Sequence, residues 1–249
     1  MESAVDRLAT MLRAAEHAVV LTGAGVSTDS GIPDFRSPTG LWRRQRPISY
    51  QEFLASPERR AEAWRNKFAL DDAHGGARPN PIHHAIAGLV AAGRIALVVT
   101  QNIDGLHGAS GIPDERLVEL HGNGTYAKCL SCGERYTLDW VRERFASSGV
   151  APDCPRCGGP IKSATIAFGQ ALPETALARA VAAAEDCDLF LALGTSLVVY
   201  PAAALPAMAK RRGATLAIVN REPTPVDDLA DLSIHAELAA VFSTLVKEL

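Results

Sequence analysis

Two cysteine pairs, Cys129-x-x-Cys132 and Cys154-x-x-Cys157, stand 21 residues apart, with the turn-forming neighbours Gly133, Pro155, Gly158 and Gly159 beside them. Four thiolates at this spacing fill the tetrahedral shell of one Zn²⁺ and leave no position open for water or substrate. The expected zinc is therefore structural, folding a module too small to build its own core; a redox-active pair is the alternative. Cys187, alone between Asp186 and Asp188, reads as a packed thiol. His121 is the second chemical candidate. It follows the apolar run Leu117–Leu120 and precedes Gly122, so a strand would carry its imidazole to a sheet edge, where a neutral ring is a general base near pH 7. Taken alone, a loop histidine is more often structural. The third candidate is a loop. In Val19–Arg36, VVLTGAGVSTDSGIPDFR, an apolar run empties into Gly23-Ala24-Gly25, a strand-to-turn pattern that lets backbone N–H groups approach a pyrophosphate. It departs from G-x-G-x-x-G because Thr28 stands at the third glycine position, and Ser30-Gly31-Ile32-Pro33-Asp34-Phe35-Arg36 prolongs the loop.

Bulk properties bound the classes open to these residues. A chain of 249 residues, 47% hydrophobic and 21% charged, with mean hydropathy near zero, is long enough to bury a large core. Its net charge of −3 argues against direct nucleic-acid binding or a membrane surface as partner, since neither a basic stripe nor an uninterrupted apolar span is present. Glu2, Asp6, Arg7 and Arg13 interrupt the N-terminal apolar residues, so no signal peptide is expected. Four of five cysteines in metal-type pairs suit a reducing compartment, and the expected location is cytoplasmic.

The elements that must position these groups alternate. A helix over 3–17 with Val5, Leu8, Ala9, Leu12 and Ala15 on one face precedes a strand at 18–22. Helical stretches at 50–55 and 57–70 follow, then a helix opened by Asn80-Pro81 that ends at Gly93. Strands are expected at 95–99, 117–120, 189–193, 214–219 and 232–235, with helices at 173–185, 201–212 and 237–248 between and after them. This alternation predicts an α/β fold, a Rossmann-like doubly wound parallel sheet built from 1–36, 76–124 and 163–249. The sheet is interrupted by a small helical insertion at 37–75 and a zinc-ribbon module at 125–162. Ligands of such sheets sit beyond the carboxyl ends of the strands, and there the polar clusters fall: Thr100–His107, His121-Gly122, Gly194-Thr195-Ser196 and Asn220.

GAGxSxxSGIPDFR, TQNIDGLH, LVELHG, GTS and Asn220, in this order and with a four-cysteine module between them, resemble the motifs of the sirtuins, NAD-dependent protein-lysine deacylases. The resemblance covers nearly the whole chain and implies one deacylase domain that binds NAD and one structural zinc held by Cys129, Cys132, Cys154 and Cys157. It implies that Gly23, Ala24, Gly25 and Ser196 lie against the diphosphate, with Ser27, Gly194 and Thr195 also on the cofactor. Asp104 and the Ile103 backbone would grip the nicotinamide amide, and Gln101 and Asn102 would address the nicotinamide ribose or an ordered water. Phe35 would cover the sugar carbon that loses nicotinamide, with Asp34, Arg36 and Trp42 also on the cofactor. Asn220 would hold the adenosine ribose, with Arg221 and Glu222 next to it on the cofactor. His121 and Asn102 are the implied catalytic residues, His121 removing a ribose proton so that the acyl group passes from lysine to ADP-ribose. An acylated-lysine protein or peptide would add as a strand between Ile166–Gln170 and Leu197–Tyr200, touching Phe168, Gly169 and Val198.

Departures from the family pattern bear on the substrate. Gln170 stands where Glu is frequent, and Ser163 replaces a frequent Pro. Members that remove succinyl or malonyl groups carry Tyr and Arg three apart in the helical insertion; the matching stretch here is Trp64-Arg65-Asn66-Lys67. A neutral acyl group, acetyl first, is therefore expected, although Arg65 or Lys67 remains available to a carboxylate. Desuccinylation, demalonylation and mono-ADP-ribosyl transfer use the same scaffold and stay open. A hydride-transferring dehydrogenase would need a glycine near position 28 and an acid about 20 residues on; Thr28 and the PDFR extension argue against it. A non-catalytic ribbon that reads nucleic acid would need a basic face, which the balanced charges of 125–162 do not supply. The active form is expected to be a monomer.

Overall fold

The apolar runs of the sequence become strands of one parallel sheet. The protein is represented by a computed structural model that describes residues 2–34, 40 and 46–248; Phe35, Arg36 and Trp42 lie outside these described residues. The strands are β1 (Ala18–Thr22), β2 (Ile95–Thr100), β3 (Leu117–Glu119), β4 (Gly122–Cys129), β5 (Arg135–Thr137), β6 (Ile161–Thr165), β7 (Leu189–Leu193), β8 (Thr215–Val219) and β9 (Leu232–Ile234). Among the described residues, six form a sheet in the order β3-β2-β1-β7-β8-β9, and every neighbouring pair in it is parallel. All five residues of β1 and of β7 are buried, as a central strand must be when helices cover both faces.

Side-chain alternation in β1 assigns the two faces. Ala18 and Val20 join one core with Val5, Leu8, Ala9 and Leu12 of α1 (Glu2–Ala14). The helix α4 (Pro81–Ala91) and the C-terminal helix α9 (Leu238–Glu248) close this face through Ile82, Ile86, Val241, Phe242 and Leu245. Val19 and Leu21 point the other way, towards Ala180 and Ala184 of α7 (Glu174–Asp186) and Leu205 and Ala209 of α8 (Leu205–Arg211). The sheet is thus doubly wound, as the alternation of elements predicts. Two boundaries differ from expectation for local reasons. The first helix stops at Ala14 because the Asp188 carboxylate accepts the N–H groups of Glu16 (2.6 Å) and His17 (3.0 Å), drawing the chain into β1. The expected helix at 201–212 opens with a 3₁₀ turn, Ala202–Ala204, and becomes α-helical only at Leu205, where Pro206 occupies the first turn in which its missing N–H costs nothing.

The insertion and the cysteine module meet in a third core. In the insertion, α2 (Tyr50–Ala55) starts at a reciprocal capping box between Ser49 and Glu52, and α3 (Pro57–His74) starts at Ser56 with Pro57 behind it. Trp64 and Phe68 of α3 are buried against Ala127, Val141 and Ile161. The module itself is an antiparallel sheet, β5-β4-β6, flanked by α6 (Leu138–Ser148). Its sheet reaches beyond 125–162, since Gly122 pairs with Thr165; the module's first strand therefore begins at the residue after His121. A short helix, α5 (Leu106–Ala109), follows the Gln101–Gly105 loop.

Candidate functional site

Connections from β1 run through β2 to β3 on one side, while β7, β8 and β9 extend the other. The strand order reverses between β1 and β7, and a crevice opens there beyond the carboxyl ends. The crevice belongs to a cleft of about 580 Å³, a size suited to a small-molecule ligand. At its floor the glycines of GAG serve chain packing. Gly23 N donates to Leu193 O at 3.0 Å and Gly25 N to Gly194 O at 2.9 Å. A Cβ on Gly23 would lie 2.7 Å from Gly194 O, and one on Gly25 2.7 Å from Gly194 Cα. Gly194 has φ +58°, a conformation that favours glycine.

Side chains from three elements hold this loop. Asn102 donates through Nδ2 to Gly23 O (3.0 Å) and Ser27 Oγ (3.1 Å). Asn80, the N-cap of α4, accepts from Ile82 N and His83 N while its Nδ2 reaches Val26 O at 2.8 Å. Ser27, almost fully buried, donates to Asp104 Oδ2 at 2.7 Å, and Leu106 N donates to Asp104 Oδ1 at 2.9 Å. Beneath them, Thr22 Oγ1 donates to Thr100 Oγ1 (2.8 Å) and lies 2.9 Å from His107 Nε2. Burial, then the neighbouring His83, push the His107 pKa down to about 3, so this ring is neutral. Asn80, His83, His107, Thr22 and Thr100 were not singled out by sequence reasoning. The Asn-Pro helix start and the two strand-terminal threonines were visible, but nothing in their spacing joins Asn80 to Val26, 54 residues away, or Thr22 to Thr100 and His107, 78 and 85 residues away.

His121 sits in the turn between β3 and β4, with Nδ1 3.0 Å from Gln101 O. A carbonyl only accepts, so Nδ1 carries the proton and the lone pair of the neutral ring lies on Nε2. Gln101 in turn donates through Nε2 to Thr195 Oγ1 at 2.8 Å, linking the ends of β2 and β7 across the crevice. Of the residues marked in the sequence, Gly23, Ala24, Gly25, Asp34, Gln101, Asn102, Ile103, His121, Gly194, Thr195, Ser196, Asn220, Arg221 and Glu222 all line the cleft. Phe168 and Gly169 line it as well. Ser27 and Asp104 are not in the lining, and Val198 stands outside it, about half exposed.

The same cleft continues to α3 and β6, where Trp64, Asn66, Lys67 and Lys162 line it. Trp64 is packed, its indole N–H donating to Ile161 O at 3.2 Å. Arg65 is exposed and absent from the lining, and Lys67 is paired with Asp71. Lys162 is buried with Nζ bonded to Ser163 O and Thr165 O, and burial pushes its pKa down to about 8. On the rim, Gln170 Oε1 accepts from Ala167 N at 3.2 Å and closes the Phe168-Gly169 turn, which α2 holds through Tyr50 N to Phe168 O (2.9 Å).

The four paired cysteines converge: their sulfurs lie within 4.8 Å of one another. Cys129 Sγ is 3.5 Å from Cys157 Sγ, and Cys132 Sγ 3.7 Å from Cys154 Sγ. Those separations are far beyond a disulfide and close to the roughly 3.8 Å edge of a tetrahedron with 2.3 Å metal–sulfur bonds. Burial acts to raise the Cys154 thiol, but the Tyr136 hydroxyl and the N–H groups of Arg156 and Cys157 hold it down at about 6. Gly133 N to Cys129 O and Gly158 N to Cys154 O close the two knuckles. The donor set fits one Zn²⁺.

A switch-point crevice with an oriented histidine, in a chain that also brings four thiols together for one metal ion, defines a nucleotide-binding α/β protein with a structural-metal module. The family is specified by comparison: a model of the Sir2 family matches residues 23–201, and the chain belongs to that family. It is 52% identical to "NAD-dependent protein deacetylase 1" of Bradyrhizobium diazoefficiens over 99% of this chain and 96% of that protein. It is 40% identical to "NAD-dependent protein deacylase 2" of Archaeoglobus fulgidus over 100% of this chain and 97% of that protein. Among solved structures, a Sir2 enzyme bound to a propionylated peptide superposes with a TM-score of 0.88 at 36% identity, covering 98% of each chain.

Proposed function

We propose that this protein is an NAD-dependent protein-lysine deacylase, acting first as a deacetylase. The observation that carries this reading is the His121 imidazole, oriented by the Gln101 carbonyl within a cleft that also contains Asn102 and the Gly23–Gly25 turn. NAD supplies an electrophilic ribose carbon and, once nicotinamide has left, the ADP-ribose that accepts the acyl group. The chain supplies position and proton transfer. Gly23, Ala24, Gly25, Gly194, Thr195 and Ser196 would hold the diphosphate, and Asn220, Arg221 and Glu222 the adenosine end. Asn102 and Ile103 would bound the nicotinamide side; Ser27 and Asp104 would act from beneath, stiffening the loop that Asn102 grips. Asp34, with Phe35, Arg36 and Trp42, completes the proposed cofactor set.

His121 Nε2 accepts a ribose hydroxyl proton while Nδ1–H stays on the Gln101 carbonyl, so the ring needs no reorientation. The acyl-lysine segment would run between the Phe168-Gly169 turn and Val198, pairing as an added strand. A neutral acyl group is favoured because Arg65 faces away from the cleft and Lys67 is already paired with Asp71. Deacylation proceeds in the domain organisation read from the sequence, with the zinc module as a fold element. A cytoplasmic location is part of the same proposal, supported by thiols grouped for metal rather than for disulfides, and the active form is proposed to be a monomer. No helix among the described residues is long and apolar enough to cross a membrane.

The test is mass spectrometry of acetyl-lysine and succinyl-lysine peptides incubated with the protein, with and without NAD. NAD-dependent loss of acetyl with formation of O-acetyl-ADP-ribose is expected, and His121→Ala should lower its rate by about 10²–10⁴-fold. Loss of succinyl alone would overturn the neutral-acyl assignment. Consumption of NAD with both peptides unchanged would overturn deacylation.

A further inference from the structure

The metal site is asymmetric. Cys129 and Cys154 are buried, whereas Cys132 and Cys157 are exposed. Cys132 and Cys157 therefore form the solvent-facing side of the site, and Cys129 and Cys154 its packed side. Backbone N–H groups of the two knuckles serve both inner sulfurs: Ser131 and Cys132 for Cys129, Arg156 and Cys157 for Cys154. Cys154 receives one thing more. The Tyr136 hydroxyl lies 2.9 Å from its sulfur, and among the described residues no other side-chain hydroxyl is bonded to any of the four thiols. A metal-bound thiolate has no proton, so the phenol is the donor.

The ring is not placed there by chance contact. Tyr136 lies on β5 opposite Ala127 of β4, the strand that ends in Cys129. It packs on Trp140 with centroids 4.5 Å apart, and the Arg144 guanidinium covers the Trp140 ring at 3.8 Å. Trp140 is held in turn by the N-cap of α6, its N–H donating to Thr137 Oγ1 at 3.2 Å. Strand pairing and this stack hold the phenolic oxygen against the Cys154 sulfur in the folded module.

We propose that Tyr136 is a positioning residue of the zinc site, which holds Cys154 in its ligating orientation through an O–H···S bond and slows loss of the ion. The proposal rests on the four thiols binding Zn²⁺. Partners that hydrogen-bond to metal ligands tune both orientation and affinity, and their removal typically lowers metal affinity 10–100-fold. Donation to the sulfur also withdraws electron density from it, making it a poorer target for oxidants.

The experiment uses the full zinc-loaded protein and Tyr136→Phe, which removes the hydroxyl and leaves the ring to pack on Trp140. Zinc transfer to a chromogenic chelator, with and without hydrogen peroxide, gives release rates; the Co²⁺-substituted forms give the thiolate-to-metal charge-transfer band. Release should be roughly tenfold faster in the variant, with a shifted Co²⁺ band and an unchanged melting temperature for the metal-loaded protein. Tyr126→Phe is the control, a tyrosine of β4 covered by Arg135 at 3.7 Å that should change neither readout. Release within twofold of the parent protein with an unshifted Co²⁺ band would overturn the proposal. A release rate raised equally in both tyrosine variants would overturn it too, by assigning the effect to general loosening. Absence of stoichiometric zinc from the parent protein would remove the metal reading itself, a separate and recognisable failure.

Discussion

Gly25→Ala probes whether the crevice depends on two chain segments packing backbone to backbone. The added Cβ would lie 2.7 Å from Gly194 Cα, 3.0 Å from Gly194 O and 3.2 Å from Gly194 C, where ordinary contact begins near 3.4 Å. All three atoms are main chain, so no side-chain rotation relieves the overlap. The turn after β1 must move off the end of β7 by about 0.7 Å. That displacement stretches the 2.9 Å bond from Gly25 N to Gly194 O past hydrogen-bond range. Overpacking of this kind costs about 1–3 kcal/mol and loss of the bond about 1 kcal/mol more. At about 2–4 °C per kcal/mol for a chain of this size, the melting temperature should fall by roughly 4–16 °C. Asn102 binds Gly23 O, so the KM for NAD should rise alongside. Gly88→Ala is the matched control: it lies exposed inside α4 with nothing within 4 Å of a built Cβ, and helix propensity predicts a gain of up to about 1 kcal/mol. Scanning calorimetry reads both. A Gly25→Ala protein melting within 1 °C of the parent would refute the reasoning, because the overlap would then have been absorbed without separating β1 from β7.

Trp64→Ala should cost about 3–5 kcal/mol by opening a cavity in the core shared by α3 and the cysteine module, read as a lowered denaturation midpoint with an unchanged denaturant slope. Zinc removal by a strong chelator should unfold the module while the parallel sheet persists, seen as a red shift of Trp64 and Trp140 fluorescence with most far-ultraviolet ellipticity retained. Lys162 gives a pH signature. Burial holds its pKa at about 8, below the ordinary 10.5, so between these values the unfolded chain carries a proton the folded chain lacks, and the folded state gains stability as pH rises through the window. Denaturation of the parent protein and of Lys162→Met at pH 7.5 and pH 10 should show the parent gaining relative to the variant by up to about 3 kcal/mol; a constant difference would argue that the ammonium is solvated.

The sheet was legible in the sequence because each strand is an apolar run closed by a polar or glycine turn, as Val19–Thr22 and Leu189–Gly194 are. Spacing alone also brought the four cysteines together. The grouping of Gly23, Gln101, His121, Gly194 and Asn220 along one edge followed from the rule that ligands gather at strand ends. The lattice under the loop was not legible. Asn80 to Val26 and His107 to Thr22 join residues of different helices and strands, and no local pattern records which buried polar groups will face each other. The glycines were read for approach to a phosphate, yet Gly23 and Gly25 meet Gly194 and Thr195 first, a partner 170 residues away that periodicity does not reveal. Helix ends failed where a distant acid intervened, as Asp188 does at residues 16 and 17.

The core that joins α3 to the cysteine module also orders events during synthesis. Trp64 and Phe68 are translated about ninety residues before Ile161. At the usual rate of about 5–20 residues per second, the apolar stripe of α3 waits roughly 5–20 s on the nascent chain for the strands that cover it. During that interval the insertion has no completed hydrophobic partner of its own. The last strand of the module, β6, is therefore the step that withdraws this surface from chaperones and from neighbouring nascent chains, and the cysteine pair at 154 and 157 emerges only a few residues ahead of it.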